Sequence, residues 1–379
     1  MSSISAQVIE ALDLTAAVQE EWEHVFQAST SEPSTSLEWT LGLAHHYVRH
    51  DDRVFIVRLQ RHGRAVGFVP LVARTIRVLR QRCLLLMPIS EIFNTHGDLL
   101  LCEQSSEIVD ALFDAVDNLG VRWDCLRLSN LLEGNPVTSL LQTRSRARRW
   151  TCCTRYSGAS FFLSLPATFD AYLAARSAKF RNHARRAERK LRAAGPLRVV
   201  EITDAREFET AYAAIMEIEQ ASWKETHGLS IHAVPRQTAF YREWGPAAAA
   251  AGRLHLLLLT LNGKPIAHNI GYLRGGCYSY LKTSYAAKYR PLSPATFLRL
   301  RLIERLIGRG IHSIDFPGRL YEWERQWTDV VRWQHVVSIY PNTVRGRMLA
   351  FLDPWTHRSS AVRKLESVGT RRRAVPDEG

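Results

Sequence analysis

The chain has 379 residues, is 46% hydrophobic and carries a formal net charge of +13. This length and apolar content suit two folded domains and exclude a disordered chain. No run approaches the ~20 apolar residues that span a bilayer. The longest is the short stretch from Leu256 to Leu261, and MSSISAQVIEALD at the start lacks a basic-then-apolar signal, so the expected location is cytoplasmic.

The six cysteines show no C-x-x-C spacing, and Cys152 and Cys153 are adjacent. They read as reduced thiols, and no metal site is expected. Charge is unevenly spread: residues 1–140 hold 11 Lys+Arg and 18 Asp+Glu, net −7, and residues 141–379 hold 39 and 19, net +20. The second part is therefore the one expected to meet anions. Only seven of the 50 basic residues are lysine, a compositional bias that explains part of this charge without any ligand.

In chain order, helical patterns cover Ala16 to Ala28 and the region around Trp39 to His50. RVFIVRLQRHGRAVGFVPLV, from Arg53, then reads as a strand, a Gly-Arg turn and a second strand. FNTHGDLLL places His96 and Asp98 ahead of a strand, although Asn94 and Gly97 explain it as a turn. From Glu107 comes an amphipathic helix, a glycine stop and a strand with one aspartate. SRARRWTCCTRYSG, residues 145–158, is Arg-rich and pattern-poor and reads as a boundary.

Two further helices are expected, from about Phe169 to Ala194 and from about Ala205 to Glu225. The first places Lys179, Arg181, Arg185, Arg186, Arg189, Lys190 and Arg192 around an apolar stripe. That basic surface reads either as a solvated face or as a contact for phosphates of CoA or tRNA, or for an anionic glycan or lipid head group. The second leads into WKETHGLSIHAVP, where Trp223 offers an aromatic wall and Lys224 or His227 a polar contact, unless Trp223 is simply core.

RLHLLLLTLNGKPIAHNIGY, from Arg253, repeats the strand–turn–strand pattern, and TFLRLRLIERLIGRGIHSIDFPGRL, from Thr296, repeats the helix–glycine–strand pattern. Each half thus gives hairpin, strand, helix, strand, which predicts two copies of one α/β unit. In KYRPLSPATFLRLRLIERLIGRG, Ser293 suits the helix N-cap and Pro294 the first helical position, with Gly310 as the stop. A free helix front beside Lys288 and Arg290 favours an anion. The tail from about Val368, with Arg371 to Arg373, is expected to be disordered.

Residues 155–345 resemble the second half of the GNAT-like acyltransferases associated with cellulose biosynthesis (the CelD/BcsL type), and the first half resembles the companion unit shared with Fem-type aminoacyltransferases. The matching residues are Ser293, Pro294, Thr296, Leu298, Asp315, Phe316, Gly318, Tyr321, Trp327 and Thr328. The resemblance implies tandem GNAT-like units, each a mixed, mainly antiparallel sheet flanked by helices. The expected division is 1–145, 155–345, and 346–379 as a helix and basic flexible tail. It also implies that the pyrophosphate of an acyl-CoA such as acetyl-CoA meets Ser293, Pro294, Ala295 and Thr296. Ala295 and Ala286 depart from the glycine and aspartate usual there, and a methyl at Ala295 narrows the backbone approach.

Acyl transfer needs a base and oxyanion donors. Asp315 is the expected base or acceptor orienter, with Tyr285 or Tyr321 as proton donor. Trp223, Lys224, His268, Lys282 and Trp327 are expected to line the acceptor side, for an amine or hydroxyl on a sugar, glycan or cell-envelope (exopolysaccharide) precursor. Two other readings stay open: an aminoacyl-tRNA-dependent transferase of Fem type, and a non-catalytic module docked on a glycan-synthesis complex or anionic membrane surface. Oligomeric state is not legible.

Overall fold

The computed structural model describes residues 4–10, 14–78, 80–93 and 95–357, which leaves Asn94 and the basic tail outside the described residues. In chain order the elements are β1 (Ile4–Ile9), α1 (Ala16–Ala28), α2 (Leu37–Tyr47), β2 (Arg53–Arg61), β3 (Arg64–Val78), β4 (Gln81–Pro88), β5 (Leu100–Leu101), α3 (Ser106–Asp117), β6 (Cys125–Leu132), α4 (Pro136–Ala147) and β7 (Thr151–Ser164). They continue with α5 (Phe169–Ala174), α6 (Ala178–Ala194), β8 (Leu197–Ile202), α7 (Ala205–Gln220), α8 (Trp223–Thr226), α9 (Pro235–Ala250), β9 (Leu254–Leu261), β10 (Lys264–Arg274), β11 (Cys277–Tyr285), α10 (Pro294–Gly308), β12 (Ser313–Phe316), β13 (Val331–Tyr340) and α11 (Val344–His357).

The described residues form two compact units, one made of those before Ser160 together with residues 332–357, the other of Ser160–Val331. Strand order in the first unit runs β1-β2-β3-β4-β6-β13. In the second, residues Phe161–Ser164 of β7 pair with β12, followed by β11, β10, β9 and β8. Within each unit the strand pairing is mixed and mainly antiparallel.

The repeat extends to register. In the first unit the hairpin β2–β3 continues into β4, and the chain then passes through α3 to β6, which lies parallel to β4 with Leu85 opposite Cys125 and Leu86 opposite Leu126. In the second, β9–β10 continues into β11, and α10 leads to β12, parallel to β11 with Cys277 opposite Ser313 and Ser279 opposite Asp315. A helix between two parallel strands is the expected crossover. Each unit has its own core, Phe55, Leu112, Leu126 and Trp150 being central to one and Leu257, Tyr278, Leu298 and Trp327 to the other.

Several local expectations are corrected. Residues 145–158, read as a pattern-poor boundary, are largely structured, because α4 ends at Ala147 and β7 begins at Thr151. The β-forming Thr, Cys and Tyr residues of that stretch outweigh its arginines. The helix expected over Phe169 to Ala194 is two helices, since Ser177 caps a new one by accepting from Phe180 N–H at 3.1 Å. The helix expected to Glu225 stops at Gln220 and resumes as the short α8. All six cysteines are free thiols, and no helix among the described residues is long and apolar enough to cross a membrane.

Candidate functional site

The site is built on the second unit, where β11 and β12 part. Their parallel pairing covers Cys277 to Ser279 and stops, although β11 runs on to Tyr285. Just past that point β11 has a bulge against β10: Ile270 pairs with Lys282 and Gly271 with Tyr280, so Leu281 is the extra residue. A bulge twists a strand and re-aims the side chains beyond it. β11 then enters a short 3₁₀ turn, Ala287–Leu292, and α10 starts at Pro294.

The start of α10 differs from the expected cap. Ser293 occupies the N-cap position, but in the left-handed conformation (φ 54°, ψ 52°), and its hydroxyl does not cap the helix. The N–H groups of Ala295 and Thr296 find no acceptor among the described residues. Lys288 and Arg290 are exposed in the preceding turn, Ser293 and Ala295 are half-buried, and Pro294 and Thr296 are buried. Lys190 of α6 donates to the carbonyl of Pro291 at 2.8 Å, which adds a third cation to this end of the helix.

The other arginines of α10 hold the fold. Arg305 and Arg309 reach Glu201 of β8 at 3.5 and 2.5 Å, and Arg301 bonds Glu304 at 2.9 Å. Arg299, which the sequence pattern places away from the apolar stripe, is 3% exposed. Its guanidinium lies over the rings of Trp323 (4.0 Å), Trp327 (4.8 Å) and Tyr280 (5.3 Å), and it donates to the Tyr280 hydroxyl at 3.1 Å. Tyr280 in turn donates to Asn269 Oδ1 at 2.6 Å. Trp327 is fully buried against Phe180, ring centroids 5.2 Å apart, and thus packs as core.

On the opposite face of the sheet lies a polar cluster. Glu219, 1% exposed near the end of α7, accepts from His268 Nε2 at 2.7 Å and from Ile231 N–H at 3.0 Å. Burial by itself would raise the Glu219 pKa. The His268 hydrogen bond, Lys224 and the Ile231 N–H outweigh it, and the group is held below the usual carboxylate range. Lys224 of α8 donates to the Thr283 carbonyl at 2.6 Å. Lys282 is half-buried beside them, and burial followed by the charge of Lys224 pushes its ammonium down to about 8, against an opposing pull from Glu219. Trp223 is half-buried and packs edge-on against His227 at 5.5 Å.

The three expected catalytic groups are placed differently. Asp315 is buried on β12, opposite Ser279 at the fork. Tyr285 belongs to the core around α10, and Tyr321 is 41% exposed at the turn before Trp323. The structure brings together His268, Lys282 and Lys224, and adds Glu219, which sequence reasoning missed. A signal was present: Glu219 falls on the apolar stripe Phe208, Tyr212, Ile215 and Ile218 of α7, where a charge needs a partner.

His96 in the first unit is accounted for structurally. It is 1% exposed, with Arg332 donating to Nε2 and Gln334 against Nδ1, both at 3.1 Å. Gly97 is held so tightly that a Cβ there would lie 1.9 Å from the Ser129 carbonyl oxygen. No group of three or more His, Cys, Asp or Glu residues among the described residues is arranged to hold a metal.

A family model described as a GNAT-domain acetyltransferase matches residues 178–325, from the first turn of α6 past the fork. No curated protein sequence matches the chain. Among solved structures, FemX aligns with TM-score 0.58 at 10% identity, covering 86% of this chain and 96% of that one. A conserved protein of unknown function from Bacteroides thetaiotaomicron aligns with TM-score 0.55 at 13% identity, covering 90% and 100%. L-PGS from Bacillus licheniformis aligns with TM-score 0.52 at 12% identity, covering 90% and 97%. At these identities the likeness is one of fold. Residues 178–325 are thus similar to GNAT-domain acetyltransferases, and the chain as a whole shares its mixed, mainly antiparallel α/β fold with FemX and L-PGS.

Proposed function

We propose that the protein transfers an acyl group from acyl-CoA to an amine or hydroxyl of a sugar, glycan or cell-envelope precursor. One observation carries this reading: the N–H groups of Ala295 and Thr296 stand open at the start of α10, with Lys288, Arg290 and Lys190 around them. Aligned N–H groups and the helix dipole favour a pyrophosphate there. The half-buried Ala295 adds one methyl to that approach. The pantetheine arm would follow β11 from Tyr285 back towards the fork, where pairing with β12 has ended. The acceptor would enter past Trp223 and Lys224. His268 and Lys282 line that side, and Asp315 at the fork orients the acceptor.

Mixing the protein with acetyl-CoA and a panel of amino sugars should release free thiol only when an acceptor is present. Release that is independent of every acceptor, or none at all, would count against transfer and favour a non-catalytic docking module.

An aminoacyl-tRNA donor is the second reading, motivated by α6. Arg185, Arg186 and Arg189 are exposed on it and have no acidic partner among the described residues. Binding through phosphates releases counterions, so a tRNA complex should weaken steeply between about 50 and 200 mM salt. The absence of a shifted band at low salt would discard this donor.

A further inference from the structure

The polar cluster on the α7 face contains a cation that the fold does not neutralise. Lys282 is half-buried, yet it makes no hydrogen bond or ion pair with any described residue. Its neighbours explain why. Glu219 is the nearby carboxylate, and both its oxygens are engaged, one by His268 and the other by Ile231 N–H. The second cation, Lys224, is tied to the carbonyl of Thr283, the very next residue on β11, which keeps like charge close to Lys282. The strand also contributes, because the bulge at Leu281 sets the register of Lys282 opposite Ile270, next to His268 on β10.

The groups that face Lys282 are therefore Glu219 from α7, Lys224 from α8 and His268 from β10. Asp315 on β12 lies at the fork opposite Ser279, and Arg299 from α10 is engaged by Tyr280 and its neighbouring rings on the other face. A desolvated cation with a like charge beside it and no acid free to pair with it is poorly arranged for structure, since such a charge costs stability. The arrangement suits an amine that must be neutral part of the time.

Resting on the acyltransferase reading above, we infer that Lys282 is the general base of the transfer, with Lys224 as the positioning residue that keeps it deprotonated. The neutral Lys282 Nζ takes the proton from the acceptor N–H or O–H as that nitrogen or oxygen bonds to the acyl carbonyl carbon. The carbon–sulfur bond then breaks, its electron pair leaves with the CoA sulfur, and the proton on Lys282 passes to that thiolate. Acceptor and acyl-CoA become acylated acceptor and free CoA, with no other reactant. The Glu219–His268 pair fixes the loop through Ile231 to β10 and so holds the pocket around the amine.

The amine-labelling rate of Lys282 tests this without an acceptor. Acetic anhydride and peptide mass spectrometry resolve it among the seven lysines of the chain. With its ammonium pushed down to about 8, Lys282 should be about a hundredfold richer in neutral amine at pH 8 than a free lysine side chain, whose usual value is ~10.4, and should label correspondingly faster than the exposed Lys264. Lys224→Met should move the labelling midpoint of Lys282 upward. Equal labelling of Lys282 and Lys264 would overturn the proposal.

In the transfer assay the rate should rise with pH to a midpoint near 8. Lys282→Met and Lys282→Arg should each lose about 100- to 1,000-fold in kcat, since arginine keeps the charge but cannot accept the proton. An active Lys282→Arg with an unchanged pH profile would mean that the residue only holds an anionic acceptor, and would remove the base while leaving the acyltransferase reading intact. A folded protein that labels as expected but transfers nothing would instead remove the acyltransferase reading, and with it the role of Lys282 as base.

Discussion

Glu219→Ala is expected to lower the stability of the second unit by about 3–5 kcal/mol, because it strips a charged acceptor from two buried donors at about 1.5–3 kcal/mol each. His268 is fully buried, and its Nε2–H points at the lost carboxylate. The Ile231 N–H, which ties the loop after α8 to α7, is orphaned in the same step. Glu219→Gln keeps one acceptor oxygen and should cost less than half as much.

The pH dependence has a definite sign. The folded Glu219 is held below its unfolded value near 4.5, so its contribution is complete above that pH and is lost as the pH falls through the folded value. Urea titrations of wild type and Glu219→Ala at pH 7 and pH 4 should therefore show a gap that narrows in acid. A difference below 1 kcal/mol at pH 7 would contradict the pairing.

Arg299→Ala is expected to cost about 3 kcal/mol. A buried guanidinium among Trp323, Trp327 and Tyr280 contributes cation–π attraction of about 1–2 kcal/mol, and truncation also leaves a cavity that collapses only in part. Arg299→Lys should recover less than half, because a compact ammonium cannot stack on those rings or donate twice to Tyr280. Quenching of tryptophan fluorescence should change along with the melting temperature. An unchanged melting temperature in Arg299→Ala would show that the rings pack without it.

Much of the fold was legible because it repeats. Two hairpins with Gly-Arg and Gly-Lys turns, each followed by helix, glycine and strand, gave the two units, and α1 falls where its periodicity put it. What failed was local. The strand at Thr151–Ser164 was hidden because its first half, TCCTRYSG, has no apolar alternation and follows the arginines of α4 directly, and the helix break at Ser177 because a serine cap inside a long helical pattern looks like an ordinary polar position.

The candidate site divides along the same line. The helix front proposed as the donor end follows from Ser293-Pro294 after a strand, a purely local signal, although the left-handed Ser293 does not. The proposed acceptor side joins α7, α8, β10 and β11, which are distant in sequence, so only its separate members could be guessed. Glu219 and Arg299 are both buried charges, but only Glu219 falls on the apolar stripe of its helix, where it is readable in advance; Arg299 is set away from the stripe of its own. Burial assigns each a partner, a histidine for one and aromatic rings for the other, and the identity of that partner depends on contacts distant in sequence.

The account rests on the front of α10 as a donor site, and calorimetric titration with CoA addresses it directly. Wild type should bind CoA and acetyl-CoA with micromolar affinity, and the double reversal Lys288→Glu with Arg290→Glu should weaken both by at least tenfold while the melting temperature holds, since both side chains are exposed. No heat of binding from either ligand, or affinity that survives the reversal, would contradict it.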